Sequence, residues 1–98
     1  MSRERLEDCR VRIDALDREL LELLNQRTRI VEEIGQIKQE LDMPIYEPRR
    51  EDDVYRNVTA HNGGPLSEDA LKRIFERIID EMRSLQKMRR QQRGDREC

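Results

Sequence analysis

Arg27 is the only charge in an otherwise apolar seam. Steps of three and four from Leu6 give Leu6, Cys9, Ile13, Leu16, Leu20, Leu23, Arg27, Ile30, Ile34, Ile37 and Leu41. A guanidinium stays protonated at physiological pH, so such a position costs stability unless a carboxylate or another acceptor meets it there. Lys38 follows on the same helix at a spacing that, with about 100° per residue, returns to within roughly 20° of the same face, some 16 Å along the axis. Two long cations leaning towards each other can hold one dianionic ligand, and Gly35 between them leaves room against the helix. Gln86 closes a stripe of Phe75, Ile79 and Met82, and its neutral amide can donate to an ether or carboxylate oxygen. Glu51, directly after Arg49 and Arg50, offers an acceptor for a hydroxyl group. This set contains no nucleophile–base pair, metal cluster or phosphate loop. Its chemistry would be positioning and charge stabilisation, with neither cofactor nor metal.

Arg10 lies too far from Lys38 to share a small ligand within one helix, at about 42 Å along the axis. If Arg10 joins the site, it comes from the other protomer of an antiparallel dimer. Simpler readings stand beside this one. Arg27 could pair with Glu22 or Glu32, or fix the register of a coiled coil. Lys38, Arg49, Arg50 and Glu51 taken singly read as solvated charges, and Gln86 as the end of an apolar face.

The elements that position these residues follow from the pattern. No proline interrupts the run from about Arg3 to Leu41, which predicts a first helix roughly 55 to 60 Å long. A domain of this size has a radius of gyration of only about 13 Å, so the helix overhangs it, and its seam needs a partner chain. The expectation is an obligate homodimer. Residues 42–48 form a connector with two prolines. Pro48 opens a second helix over Arg49 to about Ala60, with Val54 and Val58 inward. Asn62-Gly63-Gly64-Pro65 ends it. Ser67 caps a third helix from Glu68 to about Met88, whose buried face reads Leu71, Ile74, Phe75, Ile78, Ile79, Met82 and Leu85. The fold class is thus all-α, with one long, one short and one medium helix. The domain covers residues 1–88, and residues 89–98 form a polar, frayed tail.

Composition agrees with a small helical domain. Of 98 residues, 43% are charged and 3% aromatic, and the sustained seam argues against disorder. A net charge of −2 gives no field for nucleic acid or a membrane surface, and no run is long and apolar enough for a membrane span. Met1-Ser2-Arg3-Glu4-Arg5 lacks a signal-peptide hydrophobic region, so a cytoplasmic location is expected. Cys9 reads as a small core residue and Cys98 as an exposed tail thiol, with no disulfide framework.

Several segments together resemble the all-helical class of chorismate mutases, from about Leu6 to Gln86. They are Arg10-Val11-Arg12-Ile13-Asp14-Ala15-Leu16-Asp17, Leu23-Leu24-Asn25-Gln26-Arg27, Ile34-Gly35-Gln36-Ile37-Lys38, Pro48-Arg49-Arg50-Glu51, and Ile74-Phe75 through Gln86. The resemblance implies three helices per chain interleaved into an antiparallel homodimer with two sites, each completed by the partner's arginine. It also implies the rearrangement of chorismate to prephenate in phenylalanine and tyrosine biosynthesis. Arg27 and the partner's Arg10 would clamp the two carboxylates. Lys38 would bind carboxylate and ether oxygen, and Gln86 would donate to that oxygen. Glu51 would hold the ring hydroxyl with backbone near Glu47, and Arg50 would add positive potential. Glu47 stands where the family often has aspartate, and Met82 where it often has serine. Isochorismate-pyruvate lyases resemble the same fold. A regulatory module docked on another aromatic-pathway enzyme is the non-enzymatic alternative.

Overall fold

The computed structural model describes residues 1–97, with side chains described through residue 94; Cys98 lies outside the described residues. The elements are α1 (Ser2–Glu40), α2 (Pro48–Ala60) and α3 (Glu68–Glu97), with no strand among the described residues. The fold is all-α, and the first two helices begin and end within a residue of the expected limits.

The boundaries around the two connectors have local causes. At the end of α1 the Met43 N–H donates to the Lys38 carbonyl at 2.7 Å and the Asp42 N–H to the Gln39 carbonyl at 3.2 Å, while Asp42 takes φ 55. This is a Schellman cap with aspartate in the place where glycine is usual. Pro44 follows and bars further helix. Pro48 sits in the first turn of α2, where a missing N–H costs nothing, and the Glu47 side chain makes no capping bond. Ser67 Oγ accepts from the Ala70 N–H at 3.1 Å at the start of α3, the expected N-cap. Between α2 and α3, Asn62 Oδ1 accepts from the Gly64 N–H at 3.0 Å, and Gly64 has φ 78, which glycine adopts without steric cost.

The chain divides into two compact units, Met1–Ile30 and Val31–Cys98. The first is a single helix whose seam is open: Leu6, Ile13, Leu16, Leu20, Leu23 and Ile30 are each more than half exposed. Cys9 is exposed with them rather than buried, because one helix cannot cover its own apolar face.

In the second unit α2 packs on α3. Leu71, Ile79 and Met82 are buried, with Val54, Val58, Phe75, Ile78 and Leu85 partly so. Ile74 departs from the expected buried face and is exposed, since it lies about 80° round the helix from Met82. The helix also outlasts its expected end. Where the sequence suggested a frayed tail after Met88, α3 continues to Glu97. Long polar side chains anchor the extension to α1: Arg89 Nε lies 3.5 Å from Glu32, and Arg93 Nε donates to Gln39 Oε1. Apolar residues are not the only means of docking a helix.

Candidate active site

Among the described residues of the second unit, Lys38 and Gln86 are the buried polar side chains, both under a tenth exposed. Lys38 comes from the last turn of α1. Its ammonium donates to the Ile45 carbonyl at 3.0 Å and meets the Glu47 carboxylate at 2.5 Å, so the connector folds back over it. The simpler reading of Lys38 as a solvated charge does not hold. The resemblance implies a role for the backbone near Glu47; the structure shows its side chain as the counter-ion of Lys38.

Gln86 comes from α3. Its Nε2 donates to the Val31 carbonyl at 3.1 Å. Gly35 eases this approach, because a Cβ there would stand 3.3 Å from Gln86 Cγ, tighter than ordinary van der Waals contact. Lys38 and Gly35 are three residues apart, hence neighbours on one face of α1. The donor count then becomes informative. An ammonium has three N–H groups and a primary amide two, so each side chain keeps one N–H beyond those bonds. Met82, one turn before Gln86, is buried on the same face of α3.

Glu51 lies in the first turn of α2 and is not solvated either. Arg83 Nη2 reaches its two carboxylate oxygens at 2.6 and 2.5 Å. The Arg83 Cζ stands 5.0 Å from the centre of the Tyr46 ring, and Nη1 is 3.4 Å from Asp80. The hydrogen bond with Glu51 raises the guanidinium pKa further, against the opposing effect of burial. Sequence reasoning missed Arg83. Its only local signal is Asp80 one turn earlier, and nothing in the linear pattern links it to Glu51 across α2 and α3.

Arg50 is exposed in α2. Arg10 and Arg27 belong to the Met1–Ile30 unit, where Arg10 is exposed and Arg27 partly buried. An open cleft of about 700 Å³ lies elsewhere, lined by Asp52, Tyr55, Arg56, Thr59 and Lys72 among others, and includes none of the expected site residues. Among the described residues no group of histidine, cysteine and carboxylate side chains could hold a metal ion.

Residues 9–87 match the sequence profile of chorismate mutase type II. The chain belongs to that family. It is 36% identical over 88 residues to a bifunctional chorismate mutase/prephenate dehydratase of Aquifex aeolicus, a match that covers 86% of this chain and 24% of that protein. It thus spans about a quarter of the length of this relative. Two solved structures resemble it closely. A chorismate mutase (form II) from Thermus thermophilus superposes with TM-score 0.83 and 35% identity, covering 85% of this chain and 94% of the other. The chorismate mutase of Helicobacter pylori in complex with prephenate gives TM-score 0.77 and 35% identity, covering 84% and 89%. Chorismate mutase membership therefore agrees with the all-α fold. Among the described residues no helix is long and apolar enough to cross a membrane.

Proposed function

We propose that this chain is a chorismate mutase, converting chorismate to prephenate in the cytoplasm as a homodimer with two sites. The observation that carries the reading is the buried pair of donors, Lys38 and Gln86, the second packed against Gly35, with one N–H to spare on each.

The rearrangement is intramolecular: a carbon–carbon bond forms as the ether carbon–oxygen bond breaks, with no proton transferred and no covalent intermediate. A protein accelerates it by holding the compact chair-like conformer and by stabilising negative charge that grows on the ether oxygen. The bond from Nε2 to the Val31 carbonyl fixes the amide in place, and its second N–H donates to the ether oxygen. The spare Lys38 N–H supplies a charged donor to the same oxygen. Binding a carboxylate as well would require Lys38 to release Glu47 or Ile45. Arg27 and the partner's Arg10 take the two carboxylates, Glu51 the ring hydroxyl, and Arg50 adds potential. Met82 occupies the wall where the family often has serine.

Dimerisation belongs to the same proposal. The open seam of Met1–Ile30 supports it, and so does the distance of Arg10 from Lys38 along one helix. The bifunctional relative makes a partnership with a neighbouring aromatic-pathway activity a natural context.

Purified protein given chorismate and isochorismate in parallel separates the readings. Prephenate from chorismate is expected. Pyruvate released from isochorismate instead would identify a lyase, and neither product from a folded dimer would leave an adaptor role. In the mutase, Arg27→Ala abolishes turnover while sedimentation still shows the dimer; retained turnover would remove Arg27 from the site.

A further inference from the structure

Two cations hold residues 45–47 of the connector. Lys38 of α1 holds the Ile45 carbonyl and the Glu47 carboxylate, while Arg83 of α3 stands over the Tyr46 ring and grips Glu51 at the start of α2. The second of these contacts has no role in the reading above.

We propose that Arg83 is a positioning residue that presents the Glu51 carboxylate to the ring hydroxyl of the substrate, and so sets specificity for that hydroxyl. The inference rests on the assignment of Glu51 to the hydroxyl made in the proposed function.

Three features support it. Glu51 is a long side chain with three rotatable bonds, and holding it in one rotamer in the free protein removes an entropy cost from binding. Arg83 supplies that hold at 2.6 and 2.5 Å, with both side chains only about a quarter exposed, 25% and 21%. The hold leaves capacity. One Nη2 spans both oxygens, and a carboxylate has about four lone-pair sites, so Glu51 can still accept a hydroxyl proton. Arg83 itself is fixed by the Tyr46 ring beneath it and by Asp80 at 3.4 Å. Its Nε, buried without a hydrogen-bond partner, makes no competing bond that would turn the guanidinium away.

A contact to the ring hydroxyl is similar in substrate and transition state, because that group does not react. Losing it raises KM and leaves kcat nearly unchanged. A purely structural role for Arg83 would lower the active fraction, and hence apparent kcat, on every substrate alike.

The test is steady-state kinetics on the full-length dimer with chorismate and with the analogue lacking the ring hydroxyl. The proteins are wild type, Arg83→Met, Arg83→Lys, Glu51→Gln and the Arg83→Met/Glu51→Gln double variant. On chorismate, Arg83→Met raises KM by about tenfold, the size of one lost charge-assisted contact. On the deoxy analogue its KM matches wild type. Arg83→Lys recovers part of the loss, since it restores charge without the planar fork. In the double variant the arginine substitution adds nothing to Glu51→Gln. If Arg83→Met fails to fold, Arg83→Lys and the double variant, which leaves no unpaired carboxylate, carry the comparison. Equal losses on both substrates, or additive losses in the double variant, would overturn the proposal. A normal Arg83→Met beside an impaired Glu51→Gln would overturn it alone. A Glu51→Gln variant with no preference between the substrates would overturn the assignment of Glu51 first, and the role of Arg83 with it.

Discussion

In Met1–Ile30 the leucines and isoleucines of the seam are open, and in the unit from Val31 onward a lysine and a glutamine are buried. Ordinary globular packing has these reversed. The first region exposes what water disfavours, which is the observation behind the proposed dimer. The second buries what water favours, and the burial is offset by specific acceptors: Ile45, Glu47 and Val31. The proposed function assigns the two regions different tasks, association to the N-terminal helix and preorganised donors to the end of that helix and to α3.

The contrast can be broken at either side. The largest effect is expected from charging the open seam. Leu16→Glu with Leu20→Glu removes the dimer in sedimentation and turnover with it, because the proposed site takes Arg10 from the partner. A fully active monomer would show that the seam serves something else.

Removing the buried charge comes next. Lys38→Met lowers kcat by about 10² to 10³, the range for one preorganised donor to a developing oxyanion. It leaves the dimer in place, and a loss confined to KM would mean that Lys38 binds the ground state only.

Gly35→Ala sharpens the comparison because it sets helix propensity against site geometry. An alanine in a helix interior is worth roughly 1 kcal/mol more than glycine. Its Cβ would press on Gln86 Cγ at 3.3 Å and disturb the amide. Thermal stability is therefore kept while kcat falls about tenfold, or about 1.4 kcal/mol in the barrier. Lost stability with intact kcat would put Gly35 in packing rather than in the site.

The smallest effect concerns alkaline stability. Burial, then the Glu76, Glu51 and Asp80 carboxylates, raise the Tyr55 phenol above its usual 10.0. The unfolded phenol ionises first. Its contribution is thus complete below pH 10 and is lost as pH rises through the folded value. Tyr55→Phe shows a smaller drop in denaturation midpoint between pH 9 and pH 11 than wild type; an equal drop would place the alkaline sensitivity at another group.

Much of this was legible in the chain. The seam gave the long helix, Pro48 and Ser67 gave the starts of α2 and α3, and the spacing of Gly35, Lys38 and Gln86 marked polar groups on inward faces. What escaped was written in longer-range or less usual terms. Asp42 takes the left-handed cap that glycine normally signals, so the end of α1 lacked its usual mark. The last turns of α3 dock through Arg89 and Arg93, side chains that read as solvated when their partners are unknown. Arg83 meets Glu51 only because α2 and α3 pack together, and a periodicity along one helix carries no information about a partner on another. The ion pair of Lys38 with Glu47 arises from the connector's fold, which two prolines constrain without specifying.

In the proposed site Lys38 and Gln86 converge on one substrate oxygen. A crystal structure of the dimer with a bicyclic analogue of the chair-like transition state tests this most directly. The expected result places the ether oxygen about 3 Å from both Lys38 Nζ and Gln86 Nε2, with Gln86 still bonded to Val31 and the partner's Arg10 on a carboxylate. An analogue seated away from these two donors, or one whose ether oxygen faces neither, would contradict it.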